Sequence, residues 1–108
     1  MANIKRIINF NEILELIKIS DISNIWIEHE RRGDDTIYYL KYILSGNSNK
    51  SCETTARFHN DSYKVQKVLL KIIKLIQSSP KQFETEYLVI FPDNIYLSSE
   101  IDFGNIDL

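Results

Sequence analysis

Two alternating segments joined by a tight turn constrain the fold of this chain more than any other feature. Residues 25–30 alternate Ile, Ile and His with Trp, Glu and Glu, which is the period-2 pattern of a half-buried strand. Residues 36–44 are rich in Tyr, Ile and Leu and predict a strong central strand. Gly33 is placed to take a positive φ, so we expect a β-hairpin that closes on Gly33 and Asp34.

Closing the hairpin there fixes which side chains share a face. One face is mainly apolar and is expected to be the core, with Ile25, Ile27 and His29 opposite Tyr42, Leu40 and Tyr38. The other face displays Trp26, Glu28 and Glu30 opposite Lys41, Tyr39 and Ile37. We expect this outer face to be exposed to solvent because it is charged. It nevertheless carries more aromatic and aliphatic residues than a solvent-exposed face requires.

Two segments have the spacing of helices. Asn9 and Glu12 have the spacing of a capping box and precede apolar residues at helical intervals, so we predict a helix over residues 10–19. A second helix is expected to begin near residues 60–62 and to end before Pro80, because proline cannot continue a helix. Its apolar stripe is broad and consists of Val65, Val68, Leu69, Ile72, Ile73 and Ile76.

The remaining strands complete an α+β pattern. Residues 50–58 alternate and predict a third strand, whose apolar set meets the core only if the preceding loop has an odd length. Residues 86–91 and 95–98 predict a buried strand and a short one. We therefore expect a single α+β domain over residues 1–108, an antiparallel sheet of four to five strands with two helices packed mainly on one face.

Composition limits the cellular location that we expect for the protein and the classes of partner that it can bind. No apolar run approaches the roughly 20 residues of a membrane span, and the amino terminus lacks the apolar region of a signal peptide, so we expect a cytoplasmic protein with no membrane partner. A lone Cys52 suits a reducing compartment. The net charge of −2 does not favour nucleic acid.

Catalytic and metal-ligating patterns are weak in this sequence. His29 and His59 each fit a structural role better than general acid–base chemistry, and Cys52 lies on the opposite face of the predicted strand from His59. No spacing typical of zinc or calcium ligands occurs, so we expect no enzyme activity, no metal and no cofactor. The lysine stripe of the second helix, at positions 64, 67, 71 and 74, is either a solvated face or a track for phosphates.

Negative charge is concentrated at the carboxyl-terminal end. Residues 81–108 hold six carboxylates and a single lysine beside several aromatic and aliphatic residues, which suits a basic partner as well as simple solubility. The candidate partner-binding residues of this segment are Glu84, Glu86, Asp93, Tyr96, Glu100, Asp102, Phe103 and Asp107. A second candidate patch lies on the outer face of the hairpin and consists of Trp26, Glu28, Glu30 and Tyr39, unless the chain itself covers that face.

A compact α+β protein without a catalytic signature and with an acidic, aromatic-bearing surface resembles the bacterial immunity proteins that neutralise cognate toxins, including those of contact-dependent growth inhibition. The resemblance is one of type over the whole chain, and the segment Glu100–Phe103 is compatible with it. It implies one-to-one binding to a toxin domain, often a basic nuclease, whose substrate phosphates the carboxylates would cover or displace. The alternatives are another binding module, such as a phage-type inhibitor or an assembly subunit, and a small nucleic-acid binder or enzyme.

Overall fold

The computed structural model describes residues 12–46 and 50–101. Within these residues, seven strands and two α-helices follow one another, with single 3₁₀ turns at Ile19–Asp21 and Ser98–Glu100. The strands are β1 (Glu15–Lys18), β2 (Ile22–Arg32), β3 (Asp35–Leu44), β4 (Ser51–Glu53), β5 (Phe58–His59), β6 (Tyr87–Ile90) and β7 (Ile95–Leu97). The helices are α1 (Ser62–Ser78) and α2 (Pro80–Thr85).

The β2–β3 hairpin has the predicted register. Arg32 pairs with Asp35 across a two-residue turn, and Gly33 takes a φ of +63°, as the turn requires. All the predicted cross-strand pairs are confirmed, from His29 opposite Tyr38 to Trp26 opposite Lys41. A bulge at the start of β2 interrupts the ladder between Ile22 and Asn24.

The predicted third strand is split into β4 and β5, which both pair with β3. Thr54 causes the break, because its hydroxyl accepts from the Leu40 N–H and donates to the Leu40 carbonyl, both at 3.3 Å. The predicted alternation survives the break, since Thr54, Ala56 and Phe58 are buried and Tyr42 is opposite Cys52. The sheet formed by β2, β3, β4 and β5 is called the hairpin sheet below.

Helix α1 follows its sequence pattern. The Asp61 carboxylate caps it by accepting from the Lys64 N–H at 2.9 Å. Its buried stripe, Val65, Val68, Ile72 and Leu75, packs against the inner face of the hairpin sheet. Pro80 ends α1 but also begins the short helix α2, which the sequence did not predict; a proline is well placed at the first position of a helix.

The predicted helix over residues 10–19 is wrong where the structure describes it, and residues 10 and 11 lie outside the described part. Residues 15–18 form β1, which pairs antiparallel with β6 and places Ile17 opposite Leu88. Ile17 and Ile19 are buried while Leu14 and Leu16 are half exposed, which is the alternation of a strand. Pairing with β6 overrides the helical spacing of the apolar residues, because it satisfies the backbone groups along one edge of that buried strand.

The second sheet has the order β1-β6-β7 and is called the terminal sheet below. The α+β class, with antiparallel strands and two helices, is confirmed, and the strands are divided between these two sheets. Both sheets contribute to one core, since Leu88 and Ile90 join the cluster that contains Leu40 and Val65. In the described residues, neither helix has the length and apolar character needed to cross a membrane.

Replacing Thr54 with valine tests the junction between β4 and β5. The change keeps the side-chain volume but leaves the buried N–H of Leu40 without its acceptor, so we expect the free energy of unfolding to fall by about 1–2 kcal/mol. Urea denaturation followed by circular dichroism measures it. Thr85→Val is the matched control, because that hydroxyl is exposed. Equal stability of the Thr54 and Thr85 variants would contradict the role given to Thr54.

Candidate functional site

The outer face of the hairpin sheet carries the first set of candidate residues. Trp26, Glu28 and Glu30 project from β2 at alternate positions, and cross-strand pairing sets them beside Lys41, Tyr39 and Ile37 of β3. Trp26 is half buried. The two glutamate side chains each retain 42% of their surface. Trp26, Glu28 and Glu30 are called the hairpin patch below.

Ion pairs neutralise part of the hairpin patch. Arg32 lies 2.7 Å from the Glu30 carboxylate, and the Lys41 ammonium lies 3.9 Å from the Glu28 carboxylate. Exposed pairs of this kind contribute only about 0–1 kcal/mol to stability. Both carboxylates can therefore exchange their internal partners for cations of another protein at little cost.

Tyr39, the fourth candidate on this face, is covered. Only 8% of its surface is exposed, and the Arg57 guanidinium lies 4.4 Å from its ring centroid. Arg57 is fixed in turn by the Glu53 carboxylate at 3.0 Å and by the Thr54 carbonyl. The Tyr39 ring is therefore packed within the protein and does not offer its surface to a partner.

Glu86, a candidate from the acidic segment, has an internal role. Its side chain is 3% exposed and accepts from Ser98 Oγ at 2.8 Å, from the Ser99 N–H at 2.6 Å and from Gln82 Nε2 at 3.0 Å. Burial alone would raise the pKa of the Glu86 carboxyl, but these hydrogen bonds outweigh it and hold that pKa below its ordinary value of 4.5. The carboxylate therefore ties α2 to the turn that follows β7.

Glu100 is also engaged within the molecule. One of its oxygens accepts from the Leu97 N–H at 2.8 Å, and the other lies 2.9 Å from the Lys71 ammonium. The contact joins the 3₁₀ turn after β7 to the lysine stripe of α1. Lys64 makes a comparable link, since its ammonium donates to the Asp93 carbonyl at 3.0 Å. Two of the four stripe lysines therefore connect α1 to the turns on either side of β7.

The other described candidates of the acidic segment lie on three different elements. Glu84 on α2 and the Asp93 side chain in the turn before β7 are exposed. The Tyr96 ring packs edge-on against Phe91 at a centroid distance of 5.4 Å and is half buried. Asp102, Phe103 and Asp107 lie outside the described residues. The structure thus keeps the hairpin patch together, whereas in the acidic segment it engages Glu86 and Glu100 at the turn after β7 and leaves Glu84 and Asp93 exposed.

An apolar groove beside β2 was not predicted from the sequence. It has a volume of about 220 Å³ and opens between the start of β2, α1 and α2. Phe83 of α2 and Ile76 of α1 are both part of its lining, and Ile76 remains 49% exposed. The sequence feature that could have indicated this groove is the apolar stripe of α1, which is too wide for one sheet to cover. The groove is lined by Ile19, Ile22, Ser23, Asn24, Ile25, Ile72, Ile76 and Phe83.

The histidines and the cysteine do not form a joint site in the described chain. His29 is exposed, with its ring 6.0 Å from Tyr38 between centroids. His59 is exposed at the end of β5, and Cys52 is half buried opposite Tyr42. Over residues 12–46 and 50–101, no group of three histidine, cysteine or carboxylate side chains is arranged to hold a metal ion.

Removing the charge of Glu86 tests its internal role through pH. A lowered pKa in the folded state means that the ionised carboxylate stabilises the fold above about pH 4.5 and that this stabilisation is lost as the pH falls through the folded-state pKa. We expect Glu86→Gln to lower the free energy of unfolding by about 1–3 kcal/mol at neutral pH and to converge on the wild type in acid.

Denaturation curves between pH 7 and pH 3 measure this difference. Glu84→Gln is the matched control, because Glu84 lies two residues away and is exposed, and it should follow the wild-type profile. A constant difference between Glu86→Gln and the wild type across this range would contradict the assignment.

Comparison with known proteins adds no relative to these observations. No protein-family model matches the chain, and no curated protein and no solved structure is significantly similar to it. Its function therefore has to be inferred from the surface chemistry of the described residues.

Proposed function

We propose that this protein is an immunity protein that binds and neutralises a cognate toxin domain, most simply a basic nuclease, in the cytoplasm of a bacterium. The hairpin patch is the observation that carries the proposal. It joins one half-buried tryptophan to two half-exposed carboxylates on a paired β-ladder. Tryptophan is among the residues most often found at the energetic centre of interfaces, and carboxylates steer a basic partner toward it.

The position of the hairpin patch on a paired ladder supports the proposal further. The Arg57–Tyr39 contact fills the surface next to it, and the β2–β3 ladder fixes the spacing of the three side chains. A preorganised patch loses little conformational entropy when a partner binds, so more of the contact energy appears as affinity. Glu84 and Asp93 add exposed negative charge elsewhere on the molecule. Their role in this proposal is long-range attraction.

A second candidate function, an assembly subunit or a phage-type inhibitor, is favoured by one observation. Three aliphatic residues of α1, Leu70, Ile73 and Ile76, are each about half exposed. Exposed aliphatic side chains grouped on one helix mark docking sites for other proteins. Light scattering distinguishes the two functions in the absence of a partner, since a stable homodimer would favour assembly and a monomer favours the immunity function.

Truncating Trp26 tests the proposed function in cells. We expect the reading frame next to the one for this chain to encode the toxin domain, and that domain is the probe, produced in cells with and without this chain. We expect the wild-type chain to protect the cells. Trp26→Ala should weaken the affinity for the toxin domain by at least about tenfold, because a central aromatic side chain contributes about 2 kcal/mol or more to binding.

Tyr63→Ala is the matched control for this experiment. Tyr63 is also aromatic and is 66% exposed, but it lies on α1, which packs against the opposite face of the hairpin sheet. Failure of the wild-type chain to protect the cells, or equal loss from the two variants, would overturn the proposal.

Reversing both carboxylates of the hairpin patch tests its electrostatic part. The variant Glu28→Lys with Glu30→Lys should slow association with the same toxin domain by about tenfold at low salt, and the difference should shrink as salt is raised. Stopped-flow or surface plasmon resonance measures the association rate. The control is Glu12→Lys with Asp34→Lys, which makes the same change in net charge at exposed positions outside the patch. Equal slowing by the two double variants would argue for a bulk charge effect only.

A further inference from the structure

The outer edge of β2 has backbone groups that bond to none of the residues the structure describes. Because Arg32 and Asp35 flank a two-residue turn, the even-numbered residues of β2 bond to β3 and the odd-numbered ones face away. The opposite edge of β3 agrees with this parity, since Thr36 and Leu40 bond to Asn60 and Thr54 on their other side. The groups that face away from the sheet belong to Ile25, Ile27, His29 and Arg31.

No described residue bonds to that edge. β2 stands at the end of the strand order of the hairpin sheet, and the backbone hydrogen bonds of the loops and turns over residues 12–46 and 50–101 do not reach residues 25–31. An edge strand of eleven residues is a ready template for another strand. The bulge near Ser23 limits that template to the part of β2 beyond it.

The helix beneath this edge is also incompletely covered. Leu69, Ile73 and Ile76 follow one another at helical spacing on one side of α1, and Ile76 lines the apolar groove that also contacts Ile22 and Ile25 of β2. Ile73 and Ile76 stay 47% and 49% exposed, although the neighbouring stripe of α1 is buried. One additional strand beside β2 would extend the hairpin sheet over this side of α1.

We propose that the partner adds an extended segment to the open edge of β2, with apolar side chains facing the groove beside α1 and basic side chains facing Glu28 and Glu30. The identity of the partner rests on the proposed function; the mode of binding rests on the edge and the groove. Side chains of an added strand alternate between the two faces, as those of β2 do. Main-chain hydrogen bonds supply affinity and this alternation supplies specificity.

Charge selects a basic segment over a second copy of this chain. Glu28 and Glu30 occupy adjacent outward positions on β2, and an antiparallel copy of β2 paired about His29 would place four carboxylates on one small surface. Lysine or arginine at the corresponding outward positions of a partner strand would instead lie beside the two carboxylates. Arg31 and Arg32 are at the hairpin end of β2, so the basic segment fits best over residues 25–30.

Amide exchange in the free protein is the first test. Nuclear magnetic resonance of the isotopically labelled chain should show fast exchange for the amides of Ile25, Ile27 and His29 and slow exchange for those of Trp26 and Glu28. Analytical ultracentrifugation of the same sample should show a monomer. Protection of the odd-numbered amides in the free chain, or a dimer in which they are protected, would overturn the proposal.

Binding of a synthetic strand is the second test. The probe is an acetylated and amidated octapeptide that alternates valine and lysine, compared with a peptide of the same composition that has four valines followed by four lysines. The alternating peptide should slow exchange at Ile25, Ile27 and His29, while the block peptide should not. Absence of binding, or perturbation confined to the lysine stripe of α1, would count against the proposal.

A pair of variants at His29 separates backbone bonding from side-chain contact. His29→Pro removes only an outward N–H, so the ladder to β3 is kept, and it should weaken binding of the alternating peptide by about fivefold or more. His29→Ala keeps the N–H and should bind as the wild type does. Similar affinity of the two variants for the peptide would contradict strand addition, provided both keep the circular dichroism spectrum of the fold.

The two proposals fail in different ways. If the octapeptide binds as expected but the wild-type chain does not protect cells from the neighbouring toxin domain, the immunity function is wrong and the β2 edge remains a docking site. If the chain protects the cells and Trp26→Ala weakens the protection, but the octapeptide leaves the odd-numbered amides unchanged, the function stands and strand addition is wrong.

Discussion

The fold depends on the burial of one face of α1. Val65, Val68 and Ile72 project into the larger hydrophobic cluster, to which both sheets contribute, and each buried side chain of this kind stabilises the protein by roughly 1.5–3 kcal/mol. The hairpin sheet and the terminal sheet share none of the described strands, so this packing, with links such as the Glu15–Thr55 hydrogen bonds, holds them together. The same arrangement explains the exposed apolar surface beside β2, because the apolar stripe of α1 extends beyond the part that the hairpin sheet covers.

How far the sequence predicted the structure depended on whether local spacing or long-range pairing decided the element. The hairpin register followed from Gly33 and the alternation alone. Helix α1 likewise followed from local spacing, that of its own apolar stripe. The segment at residues 15–18 did not, because Leu14 and Ile17 fit a helix and a strand alike, and only the partner strand β6 decides between them. The division into two sheets was equally hidden, since it depends on where β6 lies relative to β1.

The sequence predicted the outer face of the hairpin, but it did not predict which carboxylates of the acidic segment are engaged within the protein. Charge counts do not reveal which carboxylates the fold uses itself. Glu86 and Glu100 belong to the acidic segment, yet they accept hydrogen bonds from the backbone around Leu97 and Ser99. The outer face of the hairpin could be predicted because strand alternation fixes it directly. The apolar groove depended on α2 and therefore on tertiary packing.

Trp26 gives the most direct measurement of the central claim, which is that the β2 side of the hairpin binds a partner. It is the only tryptophan of the chain, so a 5-fluorotryptophan-labelled sample has a single fluorine resonance. We predict that addition of the unlabelled neighbouring toxin domain shifts that resonance and reduces its solvent isotope effect, because the ring becomes buried at the interface. A stable complex in which the resonance and its isotope effect are unchanged would contradict the account.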